Sequence, residues 1–192
     1  MSAPRASATS RPALRLVGGA EPSAEAQAPE PDPRDFDAVF RRYSPYVARI
    51  AVRLLGNDGE VDDLVQDVFI EAHHGLGSLR EPGALGGWLA RICVRRATRR
   101  LRRRRVLSWL SLDGVAEREL PFDVSASPEE RAEVVRLYHR LDELSADERV
   151  AWLLRHVEGE SLEDMARLCA CSKSTVQRRL RSAETRLQEV MS

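Results

Sequence analysis

Lysine is almost missing from this chain: Lys173 stands alone among 30 basic residues, and every other one is arginine. That bias fits a GC-rich coding sequence better than any particular chemistry. Cysteine is scarce too. Cys93, Cys169 and Cys171 are too few, and odd in number, for a disulfide framework, so a reducing, cytoplasmic setting is expected. No apolar run approaches the roughly 20 residues that span a bilayer, which predicts no membrane insertion. No alternating strand pattern appears, so the fold class is expected to be all-α. Net charge is lacking as well: 30 basic residues balance 30 acids. The balance is global and not local, with acids gathered at Asp58–Glu71 and from Asp113 to Glu148. A length of 192 residues, 43% of them hydrophobic, allows one or two small helical cores.

What the chain has in excess is one basic stretch, Trp88–Arg105 (WLARICVRRATRRLRRRR), with no acid in it. At roughly 100° per residue in a helix, Arg91, Arg95, Arg99 and Arg102 fall along one face. Leu89, Cys93, Ala97 and Leu101 form an i, i+4 stripe on the other, so the helix packs on a core while showing guanidinium groups. A merely solvated face usually mixes signs; an arginine row of one sign calls for a polyanion. Nucleic acid is the reading this favours, against the plainer one of a solvated basic helix.

The rest of the chain is organised around this helix. Residues 1–34 are an Ala/Pro/Ser/Glu tract without hydrophobic period, read as a disordered tail. Arg5, Arg11 and Arg15 lend its start a faint resemblance to a transit peptide. From Phe36 to Leu55, apolar residues recur at three- and four-residue steps, an amphipathic helix with a bend expected at Pro45 and a stop at Gly56–Gly59. A second helix, Glu60–His73, turns Val61, Leu64, Val65, Val68, Phe69 and Ala72 inward and presents Asp62, Asp63, Gln66, Asp67 and Glu71 outward. His74–Gly87, rich in glycine and holding Pro82, reads as a loop. Residues 106–127 read as an extended acidic linker.

Beyond it, three serine boxes mark helix starts: Ser127-Pro128-Glu129-Glu130, Ser145-Ala146-Asp147-Glu148 and Ser161-Leu162-Glu163-Asp164. The last two helices, Leu162–Cys169 and Lys173–Val190, are separated by Ala170-Cys171-Ser172, the spacing of a helix-turn-helix. Val176, Leu180, Ala183 and Leu187 form the buried stripe of the second. Ser174, Gln177, Arg178, Arg181 and Thr185 lie opposite it, where the long side chains can reach base edges in a major groove. An ordinary helical hairpin would show the same two helices, so the motif alone leaves both readings open.

Other chemistries fit less well. Asp62-Asp63-x-x-x-Asp67 could hold Mg²⁺ on a diphosphate, as in all-α isoprenoid synthases, but no second acidic motif faces it and the domain is too small for such a cavity. Cys169-x-Cys171 with His139 or His156 is weak as a metal set, since zinc pairs are usually spaced wider and come in fours. No metal and no cofactor is expected. His73 and His74 sit at a helix end, where they can interact with its dipole.

Asp164-Met165-Ala166-x-Leu168…Ser172-x-Ser174-Thr175-Val176-x-x-Arg179-Leu180 resembles the C-terminal DNA-binding region of bacterial RNA polymerase sigma factors, specifically the extracytoplasmic-function (ECF) group. Asp63-Leu64-Val65-Gln66-Asp67-Val68-Phe69 resembles that family's polymerase-binding helix, and Trp88-Leu89-x-x-Ile92 followed by arginines its promoter-melting helix. The likeness covers Phe36–Arg105 and Glu129–Leu187 in the family's order.

The resemblance implies two small helical domains, with sigma region 2 over residues 35–105 and region 4, ending in the helix-turn-helix, over 128–192. It implies no catalysis by the chain itself. Asp62, Asp63, Gln66, Asp67 and Phe69 would bind core RNA polymerase at the largest subunit's clamp, with the flap as a further contact. Trp88, Arg91, Arg95, Arg96, Arg99 and Arg102 would hold melted DNA of the minus-ten element. The loop before them would capture a flipped base, and the linker would thread the polymerase channel. Lys173, Ser174, Thr175, Gln177, Arg178 and Arg181 would read the minus-thirty-five element as duplex. An anti-sigma factor is implied as a further partner.

The chain departs from the family in four places. Arg95 and Arg99 stand where asparagine and aspartate are common, making the strand-facing surface more basic. Ala170 and Ser174 replace common glycines, and ordinary turn or helical geometry is expected at both. The main rival is a conventional helix-turn-helix regulator, which binds a palindromic duplex unaided.

Overall fold

The structure, a computed structural model, describes residues 31–56, 59–78, 84–110 and 127–189. The described residues form seven α-helices and no strand: α1 (Phe36–Leu55), α2 (Glu60–Gly75), α3 (Leu85–Leu110), α4 (Pro128–Glu143), α5 (Ala146–His156), α6 (Leu162–Leu168) and α7 (Lys173–Glu189). Most of the N-terminal tail, the Asn57–Asp58 stop, residues 79–83, the body of the linker (111–126) and Val190 lie outside the described residues.

Local chemistry explains where these helices begin. The Asp35 carboxylate accepts the Ala38 N–H at 3.0 Å and caps α1. Ser127 and Ser145 each complete a reciprocal capping box with a glutamate three residues on, and Ser161 accepts the Asp164 N–H at 3.1 Å. Gly56, at φ 83°, ends α1 in a conformation that a side chain would strain. Pro45 lies inside α1, where its missing N–H costs about 3 kcal/mol. The helix nevertheless runs on, because Val47, Ile50, Ala51, Leu54 and Leu55 beyond it are buried, and each large apolar side chain contributes about 1.5–3 kcal/mol.

The helix α3 differs from its predicted bounds at both ends. It starts at Leu85 and not Trp88, and it continues to Leu110, so the first five residues assigned to the linker are helical. At 1.5 Å per residue its 26 residues make a rod of about 39 Å. The predicted loop His74–Gly87 contracts accordingly. His74 and Gly75 finish α2, Leu76–Ser78 form a 3-10 turn, and Gly86 and Gly87 sit in the first turn of α3. Two glycines are tolerated there because packing dominates propensity. Leu85 is fully buried, and a Cβ on Gly86 would lie only 3.2 Å from the Tyr43 ring. Gly75 permits a second close approach, since a Cβ there would stand 2.8 Å from Cζ2 of Trp88.

Helices α1, α2 and α3 pack into one bundle, with Leu89, Cys93, Ala97 and Leu101 buried as the i, i+4 stripe requires. Helices α4 to α7 form the second, where Val176, Leu180 and Ala183 are buried and Leu187 packs against the core. The two bundles touch: α5 and α6 lie against α3, and α5 also meets α1. Their buried side chains merge into one continuous cluster, with Val134 and Tyr138 as a small satellite.

Candidate nucleic-acid interface and docking groove

The arginine row of α3 is not the unopposed positive field its sequence suggests. Glu71 of α2 pairs with Arg95 and, at 2.8 Å, with Nε of Arg96. Asp67 receives Arg100 at 2.6 Å and Arg96 at 3.4 Å, while Glu60 receives Arg104 at 3.3 Å and Arg100 at 3.8 Å. The acidic face of α2 and the inner arginines of α3 thus form a ladder along the α2–α3 cleft. Arg102 pairs with Asp147, and Arg105 donates to the Leu144 carbonyl at 2.6 Å.

Three arginines remain. Arg91, Arg99 and Arg103 are exposed and have no ion pair among the described residues. Arg99 and Arg103 line an open cleft of about 550 Å³ together with Asp63, Arg96 and Arg100. Burial, then the neighbouring Arg99 and Arg96 guanidiniums, lower the Arg95 pKa below the ordinary arginine value, a measure of how crowded positive charge is here. Arg103 was not among the residues predicted for this surface. Only its position between two paired neighbours, which needs α2 in place, singles it out. Trp88 is half-buried, its ring held over Gly75 at the end of α2.

The set Asp62, Asp63, Gln66, Asp67 and Phe69, predicted to act together, is divided by the structure. Asp63 and Asp67 face the arginine cleft. Asp62, Gln66 and Phe69 line a separate apolar groove of about 480 Å³ between α1 and α2, with Phe36, Phe40 and Ile70. Phe69 is buried and forms its floor, 4.8 Å from Phe40 and 6.3 Å from Phe36 between ring centroids, while His73 stands edge-on to Phe36 at 5.0 Å. Phe40 and Ile70 are 41% and 51% exposed, which for large apolar side chains marks a contact surface. Phe40 had read as core, because helical period alone does not tell a groove wall from an interior. Ile70 did carry a signal: it is an apolar residue on the polar face of α2.

The helix-turn-helix geometry is clear at its joint. Ala170 N–H donates to Arg167 O at 3.3 Å and Cys171 N–H to Ala166 O at 3.1 Å, the paired bonds of a Schellman turn. Such a turn places its C′ residue in the left-handed region, and Ala170 does lie at φ 49°. The ordinary geometry expected there is therefore corrected; alanine occupies a glycine conformation because the hydrogen bonds demand it. Ser174 is regular helix, as expected. Ser172 caps α7, accepting the Thr175 N–H at 3.2 Å.

Along α7, Lys173, Ser174, Arg178 and Arg181 are exposed, and Thr175 and Gln177 are half-buried. Lys173 is partly tied down by Glu163 of α6. Arg179 turns inward to Asp147 at 2.8 Å. Burial pushes the Cys169 thiol up to about 11 and the Cys93 thiol to about 12, so both stay neutral and act as apolar filling. Among the described residues no group of three His, Cys, Asp or Glu side chains converges as a metal site would require. No helix among them is long and apolar enough to cross a membrane.

Known proteins share this arrangement. The family described as Sigma-70 region 2 matches residues 39–106, and Sigma-70 region 4 matches residues 134–187. The RNA polymerase sigma-H factor of Pseudomonas aeruginosa is 31% identical, over 83% of this chain and 88% of its own. The ECF RNA polymerase sigma-E factor of Escherichia coli is 33% identical over 78% and 82%. The ECF sigma factor SigM of Mycobacterium tuberculosis is 29% identical over 81% and 76%. Among solved structures, the sigma factor RpoE in complex with the anti-sigma factor NepR from Bartonella quintana aligns with a TM-score of 0.60 and 28% identity, over 82% of this chain and 97% of that one. CnrH, solved with the cytosolic domain of CnrY, shares the fold, with a TM-score of 0.55 at 23% identity over 87% of this chain and 94% of that one.

Two helical bundles, one matching region 2 and the other region 4, define a sigma factor, the subunit that binds core RNA polymerase and promoter DNA and directs promoter-specific initiation. Within that class the chain belongs to the ECF group.

Proposed function

We infer that the three surfaces divide the work of initiation among them. The groove between α1 and α2, with Asp62 and Gln66 on its rim and Phe40 and Ile70 as apolar walls, docks on the polymerase clamp. Arg91, Arg99 and Arg103, with Trp88, hold the melted minus-ten strand, because they are the guanidiniums of α3 that no carboxylate neutralises among the described residues. Arg178 and Arg181, exposed near the start of α7, read the minus-thirty-five duplex, with Gln177 beside them. Arg95, Arg96 and Arg102, predicted as strand contacts, serve in this reading mainly to hold α3 on its neighbours. The first unit extends through Leu110, leaving residues 111–126 to join it to the second.

The segregation of these surfaces carries the reading: an apolar groove, an unpaired basic edge and a polar recognition helix face outward separately. The chain performs no chemistry itself, works in the cytoplasm, and is a target for an anti-sigma factor, as the Bartonella quintana relative is. Run-off transcription with bacterial core polymerase and a library of promoter fragments tests it. Specific initiation that depends on the protein is expected. Tight binding to a palindromic duplex by the protein alone, without initiation, would favour the conventional regulator.

A further inference from the structure

The seam between the two bundles is built in a way that incidental contact does not explain. A helix C-terminus leaves its last carbonyls without partners, and at α1 side chains from the other bundle supply them. Tyr138 Oη donates to Arg53 O at 2.9 Å, and Arg149 Nε donates to Leu54 O at 3.1 Å. Both side chains are nearly sealed from solvent, at 2% and 3% exposure. The exchange is reciprocal, since Arg105 of α3 donates to Leu144 O at the end of α4. Beside these bonds Nη1 of Arg53 lies 2.7 Å from both oxygens of Glu158, in a pair largely withdrawn from water. At the edge, Asp147 is bracketed by Arg102 of α3 at 2.7 Å and Arg179 of α7 at 2.8 Å.

That last contact sets a geometric conflict with the function. Elements at minus ten and minus thirty-five are separated by about 25 base pairs, or about 85 Å at 3.4 Å per step. Here the helices assigned to the two elements meet at one carboxylate. Even the full length of α3, about 39 Å, falls far short of the gap. The closed chain can engage one element but not both.

We propose that the seam is an autoinhibitory lock: the free protein rests closed, held by the Arg53–Glu158 pair and the capped end of α1, and core polymerase must separate the bundles to make it competent. Opening exposes only carbonyls and charges that water can solvate, so the lock releases without unfolding either bundle. The proposal rests on the sigma-factor reading of α3 and α7.

The test uses the full chain with Arg53→Glu, Glu158→Arg, and both together. Two readouts are taken: the radius of gyration of the free protein by X-ray scattering, and the protein concentration giving half-maximal run-off with core polymerase. If about nine-tenths of wild-type molecules are closed, removing the lock lowers the concentration required by about tenfold. Each single change should expand the protein and reduce the requirement; the double exchange should restore both. Unchanged dimensions in both single variants would overturn the lock, and expansion without a reduced requirement would overturn its inhibitory role. Should either single variant lose helicity by circular dichroism, Tyr138→Phe takes its place, removing one capping bond while keeping the ring. Expansion of that variant with a reduced requirement supports the lock, and no change in it overturns the lock. Failure of the sigma reading is separately visible, as absence of initiation by the wild type while the scattering results stand.

Discussion

Ala170→Gly should make this protein more stable, although glycine usually does the opposite. Ala170 is held at φ 49° by the two hydrogen bonds of the α6 turn, at 3.3 and 3.1 Å. A left-handed conformation costs a residue with a Cβ about 1–2 kcal/mol. Glycine removes that cost but adds back about 0.5–1 kcal/mol of unfolded-chain entropy. The methyl group is exposed, so no packing is lost with it. The balance is a gain of about 0.5–1 kcal/mol. For a chain of this size that raises Tm by about 1–4 °C. Ala170→Val runs the other way, because a β-branched residue is still less tolerant of positive φ. Thermal melting followed by circular dichroism measures both. A glycine variant that melts at or below the wild type, or a valine variant that matches it, would refute the reasoning.

Further expectations follow from the other surfaces. Ile70→Asp places a charge on an exposed wall of the groove; it should abolish co-purification with core polymerase while leaving Tm within about 1 °C, as surface changes generally do. Asp67→Lys is a poor probe of the same contact, since it would also break the pairs with Arg96 and Arg100 and loosen α3. Arg178→Ala or Arg181→Ala should each cost about 1–3 kcal/mol in binding the upstream duplex if it reads a base. Equal loss across all duplex sequences would instead mark a phosphate contact. Burial raises the Glu148 pKa, but the Ser182 and Ser145 hydroxyls and the Ser145 N–H donate to it, and the net shift is below the ordinary 4.5. Glu148 therefore contributes stability that is complete above pH 4.5 and is lost as pH falls through its lower folded value. Ser182→Ala should lower stability at pH 7 by about 1 kcal/mol and flatten that acid decline, as denaturant melts at pH 7 and pH 3 would show. An undiminished decline would mean that the hydroxyl does not hold the carboxylate.

Most of the helical plan was legible before any coordinates, because it depends on short-range chemistry. Ser127, Ser145 and Ser161 announce helix starts through bonds made within three residues, and the Leu89–Leu101 and Val176–Ala183 stripes announce buried faces through period alone. Helix ends with tertiary support were less legible. Leu85 begins α3 three residues early because its side chain finds a core, and Val106–Leu110 stay helical although no periodic stripe predicts it.

Charge was the property sequence described least well. Counting arginines in Trp88–Arg105 identifies a basic helix, but which guanidiniums are free depends on where Glu60, Asp67 and Glu71 fall once α2 packs beside it. The same packing separates Asp62 from Asp63, neighbours in the chain that face different clefts. Sequence by itself determined the helices, their caps, the recognition-helix face and the family motifs, since these arise from contacts a few residues apart. Tertiary structure alone decided the free arginines, the apolar groove and the Arg53–Glu158 seam. Their partners lie from about 25 to 105 residues away, and only folding brings them within hydrogen-bonding reach.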